Sequence, residues 1–596
     1  MMIAALALLA PSPPPIYADY AGRPFVTQRA PVLRFQRRRA PLPYGIDYPF
    51  PEQTARGVAL LRRFPPFSLS DRRIFVGGPW YSTPEANLHF SRGITAIDAF
   101  PNFRLDGSLT DVRDLPRERK LQMVYDPLAW ETANRLANEL EAADPRDERI
   151  APLRTFGTEH RFTPHEAAFR ALGRRLWELE RHPTDRRGQG VAYVCLNIEY
   201  TGGWEHQRAC FGWIYQGMAK AAAAHGLRIV PIIYGQWTFC VGLVHQSVRD
   251  PRTGLPEYLL PERDYLAAPD PTLEAVQAHD GVVSMDGYLR AIWGREPFYQ
   301  RDANGALLLR DGRPVPSEIS ATTAYGQRIP LEPGEAERCL QDLYRQAGRL
   351  LELHFRLAGG YAESSAVRKP FLSRARVGAW TRITNEGLEG IQANDRPLPP
   401  WLLETLMLLY LFTADDIVVW SSDFNHPPQP LGADNSRTWR YNAHGVLEHV
   451  VKAAHRYSAL DPIRRGAFRW CWFRLPMVDR NEVEGERYVE KPLAIAKLRT
   501  YRGRPWIEMF AAWPALDDQA ATLHLWVERG GRRSPTYAIR LRDGRTSFLD
   551  AWELPAAFDG AGAADVRLRF TDLLGRERTW SGDWRDPAVV RPGRQK

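Results

Sequence analysis

The sequence is short of the groups that hold metals or close disulfide frameworks. Its five cysteines, Cys195, Cys210, Cys240, Cys339 and Cys471, are odd in number and far apart. No CxxC pair and no Cys/His cluster occurs, so neither a zinc site nor a disulfide scaffold is indicated. The cysteines read as small buried hydrophobes. His160, His165 and His279 show no ligand spacing, and His426 follows Asp423 with no second histidine near it. No metal and no cofactor is therefore expected. GxSxG is missing, which argues against a serine nucleophile on a strand–helix turn. No GxGxxG follows the first strand-like run, which argues against a dinucleotide fold. Long apolar runs are missing too. The N-terminal stretch Met1–Ala10 is far shorter than a membrane span. It is like the apolar part of an export signal but lacks the basic residues before it, so export and a cytoplasmic location both stay open. Charge of one sign is also scarce: 79 basic against 70 acidic residues leave a net +9. The densest basic run, Arg37-Arg38-Arg39, sits in a Pro-rich leader. Nothing resembles a stripe for nucleic acid, and no such partner is expected.

What is present is apolar patterning. At 596 residues the chain exceeds one ordinary core, and its 44% hydrophobic content is that of globular protein. Nineteen tryptophans are about twice the usual share. They fit core packing, and they fit the aromatic faces of a sugar-binding cleft.

Residues 1–70 form a Pro-rich N-terminal extension. From there to residue 462, apolar runs alternate with helical patterns. Candidate strands are Arg73–Gly77, Gly93–Ala99, Leu121–Asp126, Val191–Glu199, Arg228–Gln236, Gly281–Asp286, Arg376–Thr384 and Asp416–Ser422. Near-continuous apolar runs suit parallel strands buried on both faces. Helical patterns span Leu128–Ala142, Pro164–Glu180, Arg208–His225 with Gly226 as its stop, Pro333–Leu357, Pro400–Phe412 and Asn442–Ser458. Eight strands alternating with helices predict an α/β fold, a (β/α)₈ barrel. Residues 463–596 change character. Short strand-like runs separated by Gly and Asp turns predict an all-β sandwich domain. Between strands six and seven, Asn304-Gly305 predicts a hairpin closed by a type I′ turn.

Barrel enzymes build their sites at the C-terminal ends of the strands. Strand alternation puts Tyr193, Cys195, Asn197 and Glu199 on one face, and Ala192, Val194, Leu196 and Ile198 on the other. The second set suits helix packing, so the first is expected to face the lumen, with Glu199 at its open end. Ser284 and Asp286 share a face, as do Trp380, Arg382, Thr384 and Glu386. Each end carboxylate could instead cap a helix or pair with an arginine. Asp126, Asp98 and Asp423 also end apolar runs. Tyr200 and Trp204 follow the fourth strand; Tyr234, Gln236 and Trp237 close the fifth; Tyr288 follows the sixth. Trp80 and Trp420 lie near ends as well. Cleaving a glycosidic bond needs one carboxylic acid for the leaving oxygen and a second carboxylate as nucleophile or base. Glu199, Glu386 and Asp286 are the catalytic candidates. Asn197, Tyr200, Trp204, Tyr234, Gln236, Trp237, Tyr288, Arg382, Trp420, Asp126 and Trp80 are candidates for binding substrate.

On these residues the chain resembles the large clan of retaining glycosidases with (β/α)₈ barrels. The resemblance implies an acid/base at the end of strand four, matching Glu199, and a nucleophile at the end of strand seven, matching Glu386. It also implies a tyrosine after strand six, here Tyr288, and a tryptophan on strand eight, here Trp420. In the clan an asparagine directly precedes the acid/base, whereas Ile198 separates Asn197 from Glu199 here. Other barrel glycosidases pair a fourth-strand carboxylate with a sixth-strand aspartate, and Glu199 with Asp286 is similar to that pattern. The expected function is a glycoside hydrolase acting on a polysaccharide or oligosaccharide. The alternative is a non-catalytic carbohydrate-binding or structural protein on a barrel scaffold. A metal-dependent hydrolase ranks below both.

Overall fold

The structure is a computed structural model. It describes residues 61–77, 83–98, 115–124, 127–180, 190–196, 204–233, 271–286, 299–315, 375–382, 400–420, 444–465, 468–473 and 491–585 apart from 518, 545 and 560–564, with short or single positions elsewhere.

Eight parallel strands close a barrel in chain order: β1 Arg73–Gly77, β2 Ala96–Asp98, β3 Lys120–Met123, β4 Tyr193–Leu196, β5 Val230–Ile233, β6 Val282–Asp286, β7 Arg376–Arg382 and β8 Asp416–Trp420. Strand β8 pairs with β1, so no edge is left open. The register follows Phe75–Ala96, Ile97–Lys120, Leu121–Tyr193, Tyr193–Val230, Ile232–Val282, Val282–Arg376, Gly378–Asp416 and Asp416–Arg73. Carried once round, the level of Arg73 returns at that of Pro65, a displacement of eight residues and hence a shear of eight.

Alternation along these strands sorts the core into two layers. Phe75, Ala96, Leu121, Cys195, Ile232, Val282, Trp380 and Val418, one from each strand, pack together in the lumen. Val194, Leu196, Val283, Val377, Ala379, Ile417 and Val419 belong to the outer core under the helices. Trp380 is the largest lumen side chain and is almost fully buried. Room for the sixth-strand side chains is left by Gly378. A Cβ there would stand 2.6 Å from Val282 Cγ1 and 2.7 Å from Ser284 Cβ. Trp380→Ala is expected to cost about 3–5 kcal/mol of stability through the cavity it leaves, read by urea unfolding.

The helices follow the apolar spacing. They are α1 Thr83–Phe90, α2 Pro127–Ala143, α3 Ile150–Glu159, α4 Glu166–Glu180, α5 Trp204–Ala223, α6 Pro271–Ala278, α7 Pro400–Thr413 and α8 His444–Ser458. Helix α5 stops at Gly226, whose φ of 68° lets Leu227 N–H reach back to Ala222 O. Helix α7 is buried on nearly every side. No described helix is long and apolar enough to cross a membrane.

The hairpin at 299–315 forms, but by a different turn from the one expected. Among its turn residues only Gly305 has positive φ within the 302–305 turn; Asn304 does not. Asp302 Oδ1 accepts the N–H groups of Asn304 and Ala306, and Asp302 O accepts that of Gly305. The aspartate side chain organises the turn, so Asn304 need not enter the left-handed region a type I′ turn requires.

The C-terminal part is β-rich. Its strands are β9 Phe468–Trp472, β10 Leu493–Tyr501, β11 Arg504–Ala512, β12 Ala521–Arg529, β13 Arg532–Arg533, β14 Tyr537–Leu541, β15 Ser547–Glu553, β16 Asp565–Thr571, β17 Glu577–Ser581 and β18 Asp583–Arg585. One antiparallel sheet runs β15-β11-β10-β9-β18; the other runs β13-β12-β16-β17, with β14 also on β12. Rings bridge the two: Phe473 with Trp580, Tyr537 with Trp552, and Trp513 at the end of β11 with Phe570. The other face of the first sheet meets the barrel, where Phe510 and Trp470 lie against Phe412 of α7.

Candidate functional site

The lumen is stoppered at one end. At the start of β8, Asp416 is fully buried and takes both Arg73 (Nε–Oδ1 2.7 Å, Nη2–Oδ2 2.8 Å) and Arg376 (Nε–Oδ2 2.6 Å, Nη2–Oδ1 2.9 Å). Burial pushes this carboxyl up, but Arg376 and Arg73 outweigh it and hold it at about 2. Arg73 also covers the rings of Phe75 and Tyr193 at 5.5 and 5.6 Å. Above this plug the eight apolar lumen residues fill the middle. Among the described residues of the lumen, this leaves the C-terminal end for a ligand, roughly 13 Å up the strand from Asp416 at ~3.3 Å per residue.

At that mouth three consecutive strands end on candidate residues: β6 on Asp286, β7 on Arg382 and β8 on Trp420. Their backbones are in register, Asp286 opposite Trp380 and Arg382 opposite Trp420. Asp98 likewise ends β2. Trp204 is the first residue of α5, eight positions after β4 ends at Leu196. Glu199, Asn197 and Tyr200 fall in the interval between them, outside the described residues. Glu386, Tyr234, Gln236, Trp237, Tyr288, Asp126, Asp423 and Trp80 also lie outside the described residues. For the described part of the fourth strand, the expected facing holds: Cys195 is in the lumen with Tyr193 against it, while Val194 and Leu196 pack outward. The sixth strand behaves alike, with Val282 inward and Val283 outward. Ser284 is buried and donates to Ile233 O.

Among the described residues no group of three His, Cys, Asp or Glu is placed to hold a metal ion. The described cysteines, Cys195, Cys210 and Cys471, are buried. Burial pushes the Cys210 thiol far up, away from a reactive thiolate. Several tryptophans resolve toward packing: Trp177, Trp380 and Trp513 are wholly enclosed. The Asp416 plug was not legible in the sequence, because Arg73 lies 343 residues from Asp416.

No family model and no curated protein matches the sequence. Solved structures with similar folds include a glycoside hydrolase family 5 protein from Bacteroides vulgatus, 8% identical, over 87% of this chain and 93% of that one, with a TM-score of 0.28. A conserved exported protein from Bacteroides fragilis is 12% identical over 65% of this chain and 70% of its own, with a TM-score of 0.25. An α-amylase from Geobacillus thermoleovorans is 11% identical over 65% of this chain and 92% of its own, with a TM-score of 0.21.

Proposed function

We propose that the protein is a glycoside hydrolase, with the barrel of residues 71–462 as its catalytic domain and residues 463–596 as an accessory β-domain. Glu199 and Asp286 are its catalytic carboxylates. The observation that supports this best is the placing of Asp286 as the last residue of β6, four positions along the strand from the lumen residue Val282. The fourth-strand set Tyr193 and Cys195 leads, by the same alternation, to Asn197 and Glu199. Strands four and six belong to the same alternate set, which contributes to shared lumen layers. The reading requires a carboxylate from each to lie within about 5–10 Å of the other, the separation that glycosidic cleavage uses. Glu386 follows the end of β7, a strand of the other set, by four residues, and is the less favoured partner.

In this reading one carboxylic acid gives its proton to the glycosidic oxygen as the bond to the anomeric carbon breaks. The other carboxylate attacks that carbon or takes a proton from the attacking water. The low-dielectric lumen beneath raises the acid's proton affinity, as the first role needs. Arg382 and Trp420, ending the next two strands, would hold the sugar.

Product release from a panel of plant, microbial and animal glycans tests the class. Activity on at least one glycan is expected, with Asp286→Asn losing about a hundredfold or more and Glu386→Gln much less. The reverse order would move the second role to Glu386. A wild type silent on every glycan would favour the carbohydrate-binding alternative.

A further inference from the structure

The densest group of buried charges lies away from the mouth, where the β-domain meets the barrel. The barrel brings Asp71 and Arg72, which lead into β1, and Asp415, which leads into β8. Arg72 Nη1 is 3.2 Å from Asp71 Oδ2 and 3.6 Å from Asp415 Oδ1. Tyr457 of α8 donates its hydroxyl to Asp71 Oδ2 at 3.0 Å. Its ring carries the Arg464 guanidinium 3.1 Å above the centroid. Arg464, in the 3₁₀ turn Asp461–Arg465, gives its Nε to Glu508 Oε1 of β11 at 2.8 Å. Arg499 of β10 gives its Nε to the other oxygen, Glu508 Oε2, at 2.9 Å. Three carboxylates thus answer three guanidiniums.

Lys497 stands beside this balanced set as a fourth cation. It is fully buried, and its Nζ donates to Phe412 O of α7. Three rings surround it, Phe412 at 4.3 Å, Trp470 at 4.4 Å and Phe468 at 4.8 Å. Among the described residues it pairs with no carboxylate. The rings attract an ammonium, but they replace little of the water it has lost, and Arg72, Arg499 and Arg464 all face it.

We propose that this cluster is a pH-sensitive latch between barrel and β-domain, with Lys497 as its titrating member. The amine stays neutral while the domains are closed, and proton uptake there weakens their contact. Burial, then the charge of Arg72, draws the amine well below its ordinary value, with Glu508 opposing. Glu508 and Asp71 stay charged and Tyr457 stays neutral as the amine titrates. Arginines hold Glu508 and Asp71 low against burial, and burial pushes the Tyr457 hydroxyl up. His354, whose ring packs on Trp470, bonds to Thr413 O. The unfolded chain binds the Lys497 proton more tightly, so between the folded value and about pH 10.4 stability rises with pH. Below the folded value that contribution is gone.

The test is calorimetry of the full chain from pH 7.5 to 10.5, wild type against Lys497→Met and Lys497→Arg. Lys497→Met, close in shape and uncharged, is expected to melt several degrees above wild type at pH 7.5, with the gap closing toward pH 10.5. Lys497→Arg, charged throughout, is expected to melt below wild type, with the gap widening as pH rises. Either variant tracking wild type at a constant offset overturns the proposal, as does a Lys497→Met protein less stable than wild type across the range. Should Lys497→Met fail to fold, the Lys497→Arg comparison decides alone.

Discussion

Glu199→Gln is expected to lower sugar release by about a thousandfold or more, the size that loss of an acid/base or nucleophilic carboxylate produces. The change keeps the side chain's shape and removes only its ability to ionise, so the melting temperature is expected to stay within about 1 °C. That pairing of results separates chemistry from folding. A comparable loss of activity with a large drop in melting temperature would instead make Glu199 a structural residue. Full activity in the variant would remove Glu199 from the site while leaving the glycosidase reading to the other carboxylates.

The second large effect belongs to the opposite end of the lumen. Asp416→Ala leaves Arg73 and Arg376 facing one another with no carboxylate between them. Breaking a buried ion pair on one side costs about 3–5 kcal/mol, mostly as uncompensated charge. Urea unfolding at pH 7 should show that loss. The pH course carries a sign of its own. The Asp416 carboxyl sits at about 2 in the folded protein, below about 3.9 in an unfolded chain. The unfolded chain therefore takes up the proton first. Wild type holds about 2–3 kcal/mol from this difference above about pH 5 and loses most of it as pH falls from about 5 to 2. The gap between wild type and Asp416→Ala should narrow over that interval. A gap constant with pH would mean that the two arginines are not what holds the carboxyl low.

Much of the barrel was legible in the sequence. Parallel strands covered on both faces must be apolar in succession, and runs such as Ile417-Val418-Val419 leave little other reading. The described part of the fourth strand, Tyr193–Leu196, lies within the run read for it. Asn304-Gly305 misled about turn type because Asp302, two residues earlier, supplied the competing hydrogen bonds. The buried ions were hidden for a different reason. Lys497 sits in Leu493–Tyr501, where a single lysine reads as the solvent side of a strand; its surroundings come from α7 and β9, distant in sequence. The candidate site was legible as a pattern of strand ends. Asp286, Arg382 and Trp420 are the last described residues of their strands, while which carboxylate faces Glu199 depends on loop geometry that alternation does not encode.

The burial of α7 has a consequence for the making of the protein. Its residues Pro400–Thr413 leave the ribosome some eighty to a hundred residues before β10 and β11, Leu493–Ala512, which cover its outer side. At about 5–20 residues per second, that interval is on the order of 5–20 s. During it the nascent chain presents Phe412 to solvent without Phe510, one of its ring partners in the finished fold. Chaperone dependence during synthesis, and aggregation of chains ended before residue 512, should therefore track the length of translation beyond Thr413.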